Sequence, residues 1–382
     1  MSLRFVEAAE ADRVQMDEVW AWVYKGSLAE VSASPPVSFE RQFCVKDGED
    51  IVSVCSMLEY PTARGSATFK CGGIAGVGTL AHRRGSGAGS LLMNEVIREM
   101  HRAGFQVSAL YPYRDPYYRR FGYESCGWRW QIKCPVARFP KTELSLPVRR
   151  IEAADVAVLD QAYVPMVRGI SGSCLRTAAH WEDRLGQKHG AIYAVGDPVE
   201  GYAWLNVSGF WTDMSVGEVG WSTRRGYESI MNVIAGLAVN QSNVVWNEPP
   251  NSPCLAGYLD QGFEAARSRP TMFRVIDVPG ALRELVSSGE GAGKGRFSIF
   301  VRDEIIEENQ GPWLVDLDNL SVSKCDFVDI EMDIRAFSQA VMGAPSFRDL
   351  MQFDSSGVHN PETVAFAETF FGSRAVVCME FF

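Results

Sequence analysis

The sequence has no apolar run of the roughly 18 residues that a membrane helix needs. Its first residues, MSLRFVEAAE, hold no apolar h-region of a secretory signal. It has no Cys-x-x-Cys and no cysteine–histidine cluster at metal-ligand spacing, and its nine cysteines are scattered singly. That is the pattern of reduced core residues in a cytoplasmic protein without a metal centre. Positive charge is in deficit. The net charge of −10 disfavours nucleic acid and anionic membrane as partners. The deficit is concentrated: Arg296–Phe382 holds 15 Asp and Glu against 6 Lys and Arg, a net −9. Such a stretch is a solvated acidic face or an electrostatic draw for cationic substrates. At 382 residues, 46% of them apolar, the chain can bury a core in each of two or three domains.

Periodicity predicts an α/β module at the N-terminus. Leu3–Val6 reads as a strand, Ala11–Gly26 as a helix stopped by glycine, and Gln42–Val45 with Ile51–Leu58 as a hairpin around Lys-Asp-Gly-Glu-Asp. Ile74–Leu80 is a further strand. Ser90–His101 is a helix, because Met93, Val96, Ile97 and Met100 fall at i, i+3, i+4 and i+7. Phe105–Tyr111, Pro116–Arg120 and Tyr123–Lys133 follow as strand, helical turn and strand.

A second module repeats the first. Arg83-Arg84-Gly85 and the helix after it compare with Arg224-Arg225-Gly226 and Ile230-Met-Asn-Val-Ile234; Phe121-Gly-Tyr-Glu124 compares with Gln261-Gly-Phe-Glu264. Tyr118 and Tyr258 each stand four residues before the later glycine. The second copy has Tyr227-Glu228 where the first has Gly-x-Gly. Its backbone therefore cannot approach a phosphate closely, and Glu228 would repel one. Ser287–Gly295 has the composition of a flexible linker and fails the Gly-x4-Gly-Lys-Ser/Thr phosphate-loop pattern. Strands at Phe297–Val301 and Gly311–Leu317 and helices near Asp333–Met342, Ser346–Met351 and Pro361–Phe370 make a third module, which ends on the apolar Val376-Val-Cys-Met-Glu-Phe-Phe382.

Chemistry concentrates at Arg84-x-x-Gly87-x-Gly89. Glycines between a strand and a helix expose successive amides to a diphosphate, and Arg83 and Arg84 add charge. The Gly-x-Gly-x-x-Gly dinucleotide pattern fails here, because its sixth position is Ser90 or Leu92. Of the aromatic residues Trp20, Trp22, Tyr24, Phe39 and Phe43, core packing is the expected role and an acceptor pocket the alternative. His82 is expected to be solvated.

The run from Val77 to Gly89 resembles the acetyl-CoA motif of the GCN5-related N-acetyltransferases. With Tyr118-x-Arg-Phe-Gly-Tyr123, the degenerate second copy, the third module and the aromatic end, the chain resembles the Eis (enhanced intracellular survival) family of aminoglycoside and amine acetyltransferases. The resemblance implies tandem acetyltransferase folds over residues 1–145 and 146–286 and a sterol-carrier-protein-like α+β domain over 287–382, whose end reaches the active site. It implies a homohexamer and a reaction that uses acetyl-CoA on an amine-bearing small molecule or a lysine. By position, Val77 and Thr79 would offer backbone groups to the pantetheine arm, with a backbone N–H of that strand stabilising the oxyanion. Arg84, Gly85, Ser86, Gly87, Ala88, Gly89 and Ser90 would hold the pyrophosphate. Tyr118 would protonate the departing thiolate. The carboxylate of Phe382 would take the amine proton, provided burial lifts it from its ordinary value of about 3.5. Where the family loop carries a run of arginines, this one has Gly85 and Ser86, so the phosphate contacts rest on backbone. No cysteine stands at a nucleophile position, so the expected mechanism is direct attack in a ternary complex. Two rivals are transfer of a longer acyl chain, since tandem folds ending in a carboxylate also resemble N-myristoyltransferases, and a non-catalytic protein that binds CoA or an apolar ligand.

Overall fold

A computed structural model describes residues 2–33, 36–186, 190–206, 209, 211–258, 262–353 and 357–380. The first module runs β1 (Leu3–Glu7), α1 (Arg13–Tyr24), α2 (Leu28–Ser32), β2 (Glu40–Asp47), β3 (Asp50–Arg64), β4 (Ala67–Thr79), α3 (Ala88–Arg102), β5 (Val107–Leu110), α4 (Asp115–Arg119) and β6 (Glu124–Pro135). The second runs β7 (Val148–Ile151), α5 (Asp160–Arg168), β8 (Ser171–Cys174), α6 (Ala178–Gly186), β9 (Ala191–Val195), β10 (Gly201–Asn206), β11 (Asp213–Trp221), α7 (Arg224–Leu237), β12 (Asn243–Glu248), α8 (Pro253–Tyr258) and β13 (Glu264–Val275). The third comprises α9 (Val278–Ser287), β14 (Arg296–Arg302), β15 (Trp313–Asp316), β16 (Ser321–Lys324), β17 (Ile330–Asp333), α10 (Ile334–Met342), α11 (Phe347–Phe353), β18 (Gly357–Val358) and α12 (Pro361–Phe371).

The order β4–α3–β5–α4–β6 recurs as β11–α7–β12–α8–β13, so the duplication is real at the level of topology. The two copies share one sheet, in the order β1-β2-β3-β4-β5-β13-β6-β12-β11-β10-β9-β7, with β8 on β3. Each copy lends its last strand to the other. β13 pairs with β5, and β6 pairs with β12, all antiparallel. An unpaired strand edge leaves a row of backbone groups without partners, and the exchange satisfies both edges.

The paired motif does not occupy one place in the two copies. Gly85 precedes α3, whereas Gly226 lies inside the first turn of α7. A Cβ at Gly226 would stand 2.1 Å from the Glu200 carbonyl oxygen, so this glycine serves close packing. Its match to Gly85 is one of sequence only.

The predicted stripe on α3 is inside. Met93, Val96, Ile97 and Met100 are fully buried against Phe43, Met57, Ile74 and Leu110, each worth about 1.5–3 kcal/mol. On the opposite face, Tyr60, Phe69, Val107 and Ala109 join Leu282 and Leu285 of α9 and Phe297, Phe337 and Phe371 of the third module in one core. That module has its own five-stranded sheet, β16-β15-β14-β17-β18. The glycine- and serine-rich stretch before it is not free. Glu290 pairs with Arg64 at 3.1 Å and with Arg374, and accepts from the Ser66 amide at 3.1 Å. Among the described residues no helix is long and apolar enough to cross a membrane.

Candidate active site

The site begins with a divergence of strands. β4 and β5 pair in parallel only from Cys71↔Val107 to Ile74↔Leu110, after which β4 continues along β3 to Thr79. A bulge at Gly76, whose φ is +59°, sits where the strands part. Any side chain there would meet the Trp20 indole nitrogen at 2.9 Å; that nitrogen donates to the Gly76 carbonyl at 2.7 Å. The Tyr24 hydroxyl donates to the Val77 carbonyl at 3.2 Å. Trp20 and Tyr24 thus share a helix face in order to hold the bulge. Trp22 is 79% exposed and Phe43 lies in the core, so neither lines a pocket. The Leu80 amide donates to Val52, and alternation along an antiparallel ladder then turns the Thr79 backbone toward the open side.

The glycine loop leads from this edge into α3. Gly85 and Gly87 have φ of +82° and +90°, a region that side chains enter at a cost, and both open onto free space. The amides of Gly87, Gly89 and Ser90 have no acceptor among the described residues; that of Ala88 is reached weakly by the Ser86 hydroxyl, at 3.5 Å. Gly89 is where crowding matters. A Cβ there would meet the Tyr117 hydroxyl at 2.9 Å and the Thr79 hydroxyl at 3.1 Å. Helix α3 spans 15 residues, so its free amides carry the positive end of a full dipole. Arg84 is exposed and unpaired among the described residues. Arg83 is ion-paired with Asp47, so its charge is committed within the protein. His82 is exposed in the preceding turn.

Tyr118 comes from α4 and is only 4% exposed. Its ring meets Tyr117 edge-on at 5.0 Å and Tyr113 at 6.0 Å. Burial, reinforced by the neighbouring hydroxyls of Tyr24, Tyr117 and Tyr113, pushes its phenol well above the ordinary value. It therefore holds its proton at neutral pH. Its hydroxyl makes no hydrogen bond to a described residue. The neighbouring Tyr123 is different: it is fully buried and bonded to Ser108 at 2.7 Å. Sequence reasoning missed Tyr113 and Tyr117, although adjacency to Tyr118 was the available signal.

Phe382, with Phe381, lies outside the described residues. The approach to it is described. Residues 375–380 pass between the first two modules. The Trp128 amide donates to the Val376 carbonyl at 3.2 Å, the Ser173 hydroxyl to that of Val377 at 2.7 Å, and the Tyr111 hydroxyl to those of Cys378 and Glu380 at 3.1 and 2.5 Å. Tyr111 directly follows β5 and packs on the face away from α3, whereas Tyr118 packs on the α3 face. Phe39, Tyr60 and His180 stack beside β3 and α6, with Phe39 and His180 at 4.3 Å and Tyr60 and His180 at 5.1 Å.

Residues 4–126 match a model of the acetyltransferase (GNAT) domain, and residues 172–275 match a second such model. Residues 278–379 match the sterol carrier protein domain. The chain is an acetyltransferase with two GNAT domains. Its fold is that of a GCN5-related N-acetyltransferase from Anabaena variabilis, at a TM-score of 0.88 and 18% identity over the whole of both chains. A probable N-acyltransferase of Enterococcus faecalis V583 superimposes at 0.87 with 14% identity, and Eis1 from Mycobacterium abscessus at 0.79 with 16%, again over the whole of both chains. No curated protein matches the chain. The acetyltransferase's open amides at the start of α3 fit acetyl-CoA, the donor that GNAT domains use. Gly87, Gly89 and Ser90 would hold its pyrophosphate through backbone N–H groups, with Arg84 the free cation of the loop.

Proposed function

We propose that the protein transfers the acetyl group of acetyl-CoA to a primary amine, on a cationic small molecule of the aminoglycoside kind or on a lysine, by direct attack in a ternary complex. One observation carries this reading: unbonded amides at a helix start, an unpaired strand edge and a protonated tyrosine converge at one place. The neutral amine attacks the thioester carbonyl, and a backbone N–H of the open β4 edge near Val77–Thr79 faces the developing oxyanion. Tyr118 gives its proton to the departing thiolate on the α3 face. The carboxylate of Phe382 takes the proton of the amine. Thiol chemistry is a poor rival. Burial pushes the Cys44 and Cys71 thiols up to about 11 and about 12, and Cys55 further still, so none of these three stands ready as a thiolate. The acidic third module supports a cationic acceptor.

The test is CoA release from acetyl-CoA with aminoglycosides, polyamines and a lysine peptide, on the natural chain and on one lengthened by a residue after Phe382. The natural chain should turn over at least one amine. The lengthened chain should bind acetyl-CoA, stay folded and lose turnover. Equal turnover by both places the base elsewhere.

A further inference from the structure

The second module buries a cluster of charges that draws in a residue from the far end of the chain. Arg176 and Glu218 are fully buried and meet through two bonds, Nη1–Oε1 at 2.7 Å and Nη2–Oε2 at 2.9 Å. Arg184 reaches Glu218 as well, at 2.5 Å, and the Tyr202 hydroxyl donates to it at 2.7 Å. The guanidinium of Arg176 lies 4.2 Å over the Tyr163 ring and 4.4 Å over that of Trp181. Both arginines bond to this one carboxylate, and Asp160 of the same module acts on Arg176 from farther off. A further carboxylate arrives from the far end of the chain. Glu380 Oε1 stands 3.2 Å from Arg176 Nε and accepts from the Tyr163 hydroxyl at 3.0 Å. A buried charge without its partner is costly, so the cluster favours the folded state fully only when the terminal segment is docked.

The backbone of that glutamate is gripped from the other side. Its carbonyl accepts from Tyr111, at the end of the strand that diverges from β4. Side chain and backbone are therefore fixed to two different modules, two residues before Phe382.

We propose that Arg176 and Glu380 are positioning residues, and that the second module, which lacks a glycine loop, serves to aim the terminal segment at the place in the first where β4 and β5 diverge. The inference rests on the reading that the Phe382 carboxylate is the base. Neither residue touches the reacting atoms. Their effect is on where the next two residues lie, and misplacement of a catalytic group by about 1 Å costs up to about a hundredfold.

Steady-state kinetics on the full chain separate the possibilities. Glu380→Gln should lower kcat by about 10- to 100-fold and leave KM for acetyl-CoA unchanged, since the glycine loop is on another element. A merely structural role would lower the melting temperature without splitting kcat from KM. Should Glu380→Gln fail to fold, the pair Arg176→Met with Glu380→Met leaves Arg184 and Glu218 as a balanced ion pair and should show the same kcat loss. If either folded variant keeps the natural kcat while the lengthened chain is inactive, the anchoring proposal falls and the terminal base stands. If the lengthened chain is fully active, the terminal base falls, and the anchoring proposal with it.

Discussion

Helix α3 opens on Gly87 in the left-handed region, and helix α7 opens on Thr223, whose hydroxyl accepts from the Gly226 amide and caps the turn. The Thr223 hydroxyl has no counterpart at Gly87, so the Gly226 amide is capped while the Gly89 and Ser90 amides have no acceptor among the described residues. The strand that follows repeats the contrast. β5 ends on Leu110 and β12 on Glu248, each five residues before the next helix. Around Leu110 the core is apolar. Glu248 is fully buried and accepts from Tyr227 at 2.6 Å, from Trp246 at 2.8 Å and from Ser252. A carboxyl group held by side-chain donors thus stands in the second copy where the first has an apolar leucine. We propose that the donor site lies at α3, where backbone amides are left without internal partners.

The strongest way to break this comparison is at the paired tyrosines. Tyr118→Phe should lower kcat by about 10²- to 10⁴-fold, the usual worth of a positioned acid, while acetyl-CoA binding by calorimetry persists. Tyr258→Phe should change neither. Tyr258 is half-buried on α8 beside Arg224 and Glu228 of α7. Equal losses in both variants would make the tyrosine a packing element of the fold.

The helix starts give the next largest contrast. Gly87→Ala forces a Cβ into φ of +90°, at a cost of about 1–2 kcal/mol. The loop regains an ordinary φ only by moving its amides, so KM for acetyl-CoA should rise about 5- to 30-fold. Thr223→Ala removes a cap worth about 1 kcal/mol. It should lower the urea midpoint and leave that KM alone.

What the sequence made legible follows from the range of each signal. The stripe of Met93, Val96, Ile97 and Met100, the hairpin at Gly48 and the glycine loop are local, and all three stand in the structure. The reciprocal exchange of β6 and β13 was not legible, because alternation says which face of a strand is buried and not which strand lies beside it. The identity of Arg-Arg-Gly in the two copies misled for a related reason: three shared letters fix no register, and Gly226 packs on Glu200 from within a helix. Glycine and serine content suggested a loose tether at 287–295, yet one glutamate, Glu290, ties it to Arg64 and Arg374. The ion pair of Arg176 with Glu380 spans 204 positions, and composition shows only that both charges exist.

The smallest effect sharpens the account of the second copy. Burial raises the carboxyl of Glu248 above its ordinary value, and the bonds from Ser252, Tyr227 and Trp246 offset this only in part. A carboxyl whose folded value exceeds the unfolded value of about 4.3 holds its proton more tightly in the folded chain. The stability it contributes is complete below that pH and is lost as pH rises through the folded value. Glu248→Gln keeps the shape of the group and removes the titration. Unfolding by urea at a series of pH values from 4 upward should therefore show the variant gaining on the natural chain as pH rises above about 4.3, then holding a constant difference. Turnover of acetyl-CoA should stay the same throughout, because Glu248 lies in the second module, away from the glycine loop before α3. A stability difference that is flat with pH would mean that the cage of donors fully offsets burial and leaves the folded Glu248 at its unfolded value.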